Sequence, residues 1–185
     1  TDFVEGGFGY DRNAIAWNRF VLLSPSTSTS SIFDAFETIY ENERCFISRG
    51  DFSGTHHKEQ DIWRSLNESN GLPMVEDADG YHPEGEWYYS IGQGMGAAIN
   101  MADEKSCSTL SDRGTALNFA QQTSLERTEF SDDILFNPYS FLFVSDMERQ
   151  GAEEFLNYLL GDGQQRIEEY TINDEPAFFT LESTD

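Results

Sequence analysis

The chain has 185 residues, 38% hydrophobic and 24% charged, and its 34 acidic against 11 basic residues give a formal net charge of -23 at pH 7. That length holds one or two domains of ordinary size, and fifteen Phe, eight Tyr and three Trp supply enough core material to exclude wholesale disorder. So acidic a surface repels nucleic acid and anionic membranes, because affinity for phosphate backbones comes from Lys and Arg, and no apolar run approaches the ~18–20 residues of a membrane span.

The chain opens on Thr1-Asp2-Phe3-Val4-Glu5-Gly6-Gly7. This is neither basic nor apolar enough for a signal peptide, and with no initiator Met the chain is expected to be a mature or trimmed piece. Ala16 to Leu23 reads as a strand, ended by Ser24-Pro25. Ser26 to Ser31 is a polar loop that caps a helix, with Ile32, Phe36, Ile39 and Tyr40 at helical spacing as far as about Glu43. Cys45 to Ser48 is a short strand, Arg49 to Gly54 a loop, and Thr55 to Leu66 a helix. Residues 67–86, rich in Gly, Pro, Asp and Glu, read as an irregular surface excursion. Gly92-Gln93-Gly94-Met95-Gly96 opens a helix from Ala97 to about Asp103. Cys107 to Leu110 is a strand, and Ser111-Asp112 caps a helix to about Gln122. Ile134-Leu135-Phe136 and Phe141 to Val144 are strands. Gly151 to Tyr170 is one helix or two, kinked near Gly161 and Gly163.

This alternation predicts an α/β fold with a mainly parallel sheet. In such sheets ligands sit beyond the carboxyl ends of strands, at helix N-termini. Three junctions fit that geometry: Ser48 to Thr55, Gly92 to Gly96, and Leu110 to Thr115. Cys45 and Cys107 follow no metal spacing. They read either as two small buried side chains or, if their strands are adjacent and the compartment is oxidising, as a disulfide.

The first junction carries the chemistry: Ser48-Arg49-Gly50-Asp51-Phe52-Ser53-Gly54-Thr55 leaves a strand and opens a helix. A helix start has unpaired N–H groups and about half a positive charge, so it attracts anions. Gly54 admits close approach of a bound group, and the Ser53 and Thr55 hydroxyls donate to oxygen. Arg49 presents a planar fork to two oxygens of a tetrahedral anion. Asp51 holds Arg49 or accepts a proton from the anion. Met95 and Gly96, at a second helix start, and the Ser111 hydroxyl are candidate supporting contacts. The competing reading is a capped helix with an ordinary Arg49–Asp51 salt bridge.

Phe46-Ile47-Ser48-Arg49-Gly50-Asp51-Phe52-Ser53-Gly54-Thr55-His56-His57-Lys58-Glu59 resembles the signature of extracytoplasmic tungstate-binding proteins, the solute-binding components of ATP-driven tungstate uptake systems. Further matches follow in order: Gly6-Gly7-Phe8-Gly9 with Asp11-Arg12, Asn18-Arg19-Phe20-Val21, Trp87-Tyr88, Gly92-Gln93-Gly94-Met95-Gly96, Thr109 to Thr115, and Phe136-Asn137-Pro138-Tyr139. The Arg-x-Asp-x-Ser-Gly-Thr core is also similar to that of phosphate-binding relatives.

The resemblance implies a type II periplasmic binding fold, in which two α/β lobes joined by crossover strands close on the ligand. Residues 25–132 are then one complete lobe carrying the oxyanion loop. Residues 1–24 and 133–185 belong to a partial first lobe whose N-terminal part is missing. The implied function is binding of tungstate or molybdate in an interlobe cleft for ABC-type uptake. The implied contacts are Arg49, Ser53, Gly54, Thr55 and Ser48, the implied partner is an ABC permease, and no cofactor or catalysis is involved. The alternative is a secreted or surface binding protein without a transport role, its ligand a phosphate-like oxyanion or a metal species. Either way the location is extracytoplasmic.

The chain departs from the family where an upstream Thr/Ser-rich loop is absent, and residues 71–85 read as an insertion. It is therefore expected to be part of a longer protein. Alone it should bind oxyanions weakly and associate, because Ala16 to Leu23 and the Gly151–Tyr170 helix would leave apolar surface uncovered.

Other motifs carry less. His56 and His57 beside Glu59 hint at a metal, but adjacent helical positions point about 100° apart, so both do not easily bind one ion. Arg49-Gly50-Asp51 spells an adhesion tripeptide in a loop that is not a displayed tip. No Ser/His/Asp or Cys/His set has usable spacing. Asp112-Arg113 reads as a cap plus surface charge, and Trp87-Tyr88-Tyr89 as core or cleft wall.

Overall fold

The computed structural model describes residues 2–147 and 149–180. In chain order its elements are α1 (Asp2–Glu5), β1 (Gly9–Ser24), α2 (Ile32–Glu41), β2 (Phe46–Ser48), α3 (Gly54–Asn70), β3 (Val75–Asp77), β4 (Gly80–His82), β5 (Tyr88–Ser90), α4 (Met95–Lys105), β6 (Thr109–Asp112), α5 (Arg113–Phe119), β7 (Glu126–Thr128), β8 (Phe136–Val144), α6 (Gln150–Leu160), α7 (Asp162–Glu168), β9 (Thr171–Ile172) and β10 (Glu175–Pro176). They form two units, Arg19–Phe136 and the remainder.

Within Arg19–Phe136, the end of β1 explains its uninterrupted apolar run. Successive side chains of a strand point to opposite faces, and here both faces are covered. Phe20 and Leu22 join Phe46, Leu110, α2 residues Ile32, Phe36 and Ile39, and α3 residues Ile62, Trp63 and Leu66. Val21 and Leu23 join Ile47, Met95, Ala98, Ile99 and Ala102 of α4, and Ala116 of α5. At about 25 cal/mol per Å2 of apolar area, each fully buried aliphatic of this kind stabilises by about 1.5–3 kcal/mol.

Strand pairing differs from the expected mainly parallel sheet. β2 and β5 are parallel, and Phe46 forms a parallel bridge to Ser108 just before β6. β1, however, runs antiparallel to both β6 and β7. The helix-covered strands follow the parallel rule, whereas β1 enters from the other unit in the reverse direction.

Three further readings are corrected, and the open choice for the two cysteines is resolved. The excursion at 67–86 contains a hairpin, β3 with β4, whose turn uses Gly80 at φ +100°; Tyr81 N–H donates to Gln60 Oε1 of α3 at 3.0 Å and moors it. Cys45 and Cys107 form a disulfide, with Cα atoms 4.7 Å apart, because the Phe46–Ser108 bridge brings their strands together. Ile134 and Leu135 are not strand residues: Asp133–Leu135 is a single 3-10 turn leading into β8, which begins at Phe136. Arg113 is buried rather than part of a surface charge, and pairs with Glu129.

In the other unit, β8 pairs with β1, and Gly161 separates α6 from α7. Ala16 and Trp17 are buried, contrary to expectation. Residues 177–180 cover this stretch: Trp17 and Phe179 exchange backbone hydrogen bonds of 2.9 and 2.8 Å, and Trp17 Nε1 donates to Thr180 O at 2.9 Å. The expectation for the helical stretch holds, since Phe155, Tyr158 and Leu160 of α6 are exposed.

Candidate oxyanion site

β2 and β5 lie in register, Phe46 opposite Tyr88 and Ser48 opposite Ser90. Both strands therefore end level, and the loops leaving them run side by side. Ile91 N–H donates to Ser48 O at 3.2 Å and Gln93 N–H to Arg49 O at 3.0 Å. Gly50 is required at this contact. It has φ +59°, and a Cβ there would collide with Ser90 Oγ. Ser90 Oγ is itself buried with no hydrogen-bond partner among the described residues.

The loop then becomes a helix cap. Ser53, in extended conformation, accepts the His56 N–H on its hydroxyl at 3.4 Å. Asp51 Oδ1 accepts the Ser53 N–H at 3.1 Å, and its Oδ2 accepts Arg49 Nε at 3.1 Å and Nη2 at 2.5 Å. Burial alone would raise the Asp51 carboxyl, but the Ser53 hydroxyl, the Ser53 amide and Arg49 outweigh it and hold it below its ordinary value. One carboxylate thus orients the guanidinium and the first turn of α3 together. The N–H groups of Gly54 and Thr55 have no intrahelical acceptor by position, and the space in front of Gly54 is open.

Phe52 sits in the left-handed region at φ +53°, a conformation that costs a non-glycine residue of order 1 kcal/mol. Its N–H donates to His56 Nδ1 at 3.0 Å, which holds the turn. Burial lowers the His56 pKa, which favours the neutral ring that this acceptor requires. Beside this turn Gly94 caps α4 without a side chain and with open space at its Cα. The N–H groups of Met95 and Gly96 there likewise lack intrahelical acceptors. Two helix starts and one oriented guanidinium, at the ends of adjacent parallel strands, are an arrangement suited to a small anion.

Residues 7–163 match the PBP superfamily domain. The chain belongs to the PBP superfamily. Its fold is the α/β fold of periplasmic binding proteins, and tungstate-binding proteins are among its relatives. The tungstate-binding protein TupA of Peptoclostridium acidaminophilum is 33% identical over 179 residues, covering 90% of this chain and 58% of that protein. The solved tungstate-binding protein TupA from Desulfovibrio alaskensis G20 is 28% identical with a TM-score of 0.74, covering 96% of this chain and 73% of that one. The solved tungstate ABC transporter from Geobacter sulfurreducens is 34% identical with a TM-score of 0.70, covering 91% and 72%. The chain spans about half the length of curated relatives that it matches at 33% identity.

The structure brings Arg49, Asp51, Ser53, Gly54 and Thr55 together in one turn, with the start of α4 alongside. Ser48 belongs to the same junction, but its side chain is fully buried and its hydroxyl accepts the Gly50 N–H at 3.2 Å. Ser111, near the end of β6, is fully buried and donates to Asp112 O at 3.0 Å. Asp112 caps α5 as expected, accepting the Thr115 N–H at 3.0 Å. Sequence reasoning did not assign Ser90, His56 or Glu59 to the site's framework. A signal for Ser90 existed: Phe46-x-Ser48 and Tyr88-x-Ser90 are the same aromatic-x-Ser pattern on two strands. His56 and Glu59 drew notice only as metal ligands, whereas each holds a hydrogen bond within the protein.

Proposed function

We propose that this protein binds a tetrahedral oxyanion, tungstate or molybdate, at the Ser48–Thr55 loop, as the extracytoplasmic solute-binding component of an ABC-type uptake system with a permease partner. The observation that carries this reading is Arg49, held by Asp51 beside the open start of α3. The guanidinium fork takes two oxygens of the anion, while the Gly54 and Thr55 amides and the Ser53 and Thr55 hydroxyls take others. Ser48 anchors the loop from beneath. Met95 and Gly96 add amides from α4, and Ser111 is a more distant support. The named function of the tungstate-binding relatives favours this ion class. The Cys45–Cys107 disulfide favours an oxidising, extracytoplasmic location. No helix among the described residues is long and apolar enough to cross a membrane. The role is binding, not catalysis.

A second reading, a protonated oxyanion such as phosphate, has one observation in its favour: the ionised Asp51 carboxylate is an acceptor beside the fork. One experiment separates the two readings. Thermal unfolding of the full-length protein is followed with tungstate, molybdate, phosphate, sulfate and divalent cations, and hits are titrated calorimetrically. Tungstate or molybdate should stabilise by about 2.7 kcal/mol at a hundredfold excess over Kd. Stabilisation by phosphate alone would select the second reading, and no response to any oxyanion would sink both.

A further inference from the structure

A line of buried contacts runs from the oxyanion loop to the β3–β4 hairpin, and it holds one donor too many. Phe52 N–H donates to His56 Nδ1 at 3.0 Å. On the other side of the ring, His56 Nε2 lies 3.1 Å from Gln60 Nε2. Gln60 Oε1 in turn accepts the Tyr81 N–H of β4 at 3.0 Å. The ring is 0% exposed and the amide 8%, and neither has another hydrogen-bond partner among the described residues. The amide is also confined, because it lies against Gly80, where a Cβ would come within 2.8 Å of it.

Both ends of the line, Phe52 N–H and Tyr81 N–H, are backbone donors. Between them a neutral imidazole offers one N–H and one acceptor nitrogen, and a glutamine amide offers one donor end and one acceptor end. When Nδ1 accepts from Phe52, the ring proton sits on Nε2 and faces the Gln60 NH2 group. When the proton sits on Nδ1, Nε2 accepts from Gln60 and the Phe52 N–H loses its acceptor. Turning the amide over relieves the ring but sets NH2 against the Tyr81 N–H, and a second ring proton only adds a donor. A buried donor left unpaired is costly wherever it falls, so loop and hairpin compete for one ring. An anion held by Arg49 and by the start of α3 needs the Phe52 turn between them, which sits at φ +53°. We propose that Gln60 is a positioning residue that acts on the oxyanion loop through the His56 tautomer: the Nε2–H ring holds Phe52 and the loop, the Nδ1–H ring holds Gln60 and releases the loop, and bound anion selects the first. The hairpin, in the stretch that reads as an insertion, thereby tunes affinity. This rests on the reading of Ser48–Thr55 as the anion loop.

Nitrogen-15 NMR of the imidazole reads the tautomer directly. Full-length protein with labelled histidine is observed at pH 8 with and without saturating sodium tungstate, the His56 signals being assigned by their loss in His56→Gln. The free protein should show both tautomers, and tungstate should leave Nε2–H alone. Gln60→Met keeps the length of the side chain and removes the NH2 group that competes for Nε2. It should lower the unfolding midpoint, because the Tyr81 N–H loses its acceptor. It should nevertheless tighten tungstate binding in calorimetry by the reciprocal of the wild-type Nε2–H fraction, about twofold for an evenly shared ring. In a His56→Gln background the same change should leave Kd unaltered. A merely structural Gln60 would lose stability without gaining affinity, so a Gln60→Met protein that binds no tighter than wild type would overturn the proposal. A free ring already wholly Nε2–H, or a tautomer ratio that tungstate does not move, would also overturn it while leaving the oxyanion function standing. If Gln60→Met does not fold, the wild-type tautomer ratios decide alone. Failure of wild type to bind any oxyanion would overturn both readings.

Discussion

One ionisable side chain, Arg49, lies in the loop, and another, Glu59, is buried on the helix that follows it. Arg49 is the cation of the loop, part-buried and tied to Asp51. Hydrogen bonds to charged groups contribute about 1.5–3 kcal/mol, so Arg49→Gln should weaken tungstate binding by that amount. Lys should recover only part, since it lacks the fork. Calorimetry showing Arg49→Gln equal to wild type would remove Arg49 from the site. Glu59 is a buried carboxyl. Burial raises its pKa from 4.5 to about 7 against the opposing hydrogen bonds of Tyr88, Ser48 and Trp63. Between those pH values the folded protein holds a proton that the unfolded chain has released. Stability therefore falls as pH rises through the window and levels off above it. At about 1.36 kcal/mol per pH unit the Glu59 share is on the order of 3 kcal/mol. Glu59→Gln cannot titrate there. The stability of wild type relative to Glu59→Gln, from urea unfolding, should drop by this amount between pH 4.5 and 7.5. A flat difference would refute the assignment.

At the scale of elements, what the sequence discloses depends on how local the information is. α2 and α3 are legible because Ser31 and Ser53 cap them and Ile32, Phe36, Ile62 and Trp63 repeat at helical spacing. The loop from Arg49 to Thr55 is legible for the same reason, since its Arg49–Asp51 and Asp51–Ser53 bonds span two residues each. Ser90 and Glu59 are not, because their roles come from the Ser48–Ser90 register and from α3 packing on β5, contacts 29 to 42 residues apart in sequence. The direction of β1 and the pairing of Cys45 with Cys107 are hidden likewise. That disulfide precedes β2 and β6, at the ends of both strands away from their helix-bearing loops. It closes a sequence separation of 62 residues, for which loop-closure entropy gives about 4 kcal/mol. Reduction should lower the unfolding free energy by about that much in urea titrations with and without reductant. Tungstate affinity of the still-folded protein should not change. A loss of affinity with unchanged stability would contradict this division of roles.

At the scale of the whole chain, an anion must approach a molecule of formal charge -23. On the proposed reading its partners, Arg49 and the start of α3, would act at hydrogen-bond distance, well inside the Debye length, and would be screened little. The repelling carboxylates are spread through the sequence, and much of their effect comes from beyond the Debye length, which is about 30 Å at 0.01 M salt and about 8 Å at 0.15 M. Added salt should therefore weaken the repulsion more than the attraction. The same screening relieves carboxylate self-repulsion in the folded state, so stability should rise in parallel. Tungstate affinity is expected to tighten as potassium chloride is raised from about 0.01 M to about 0.15 M, with the gain mainly in the association rate, because long-range fields act on encounter. Chloride is a weak competitor here, since it offers the Arg49 fork one acceptor atom where a tetrahedral anion offers two. Stopped-flow binding at both salt concentrations checks this directly. An association rate that falls as salt rises would mean that the local field around Arg49 and the α3 start, not the net charge, governs approach.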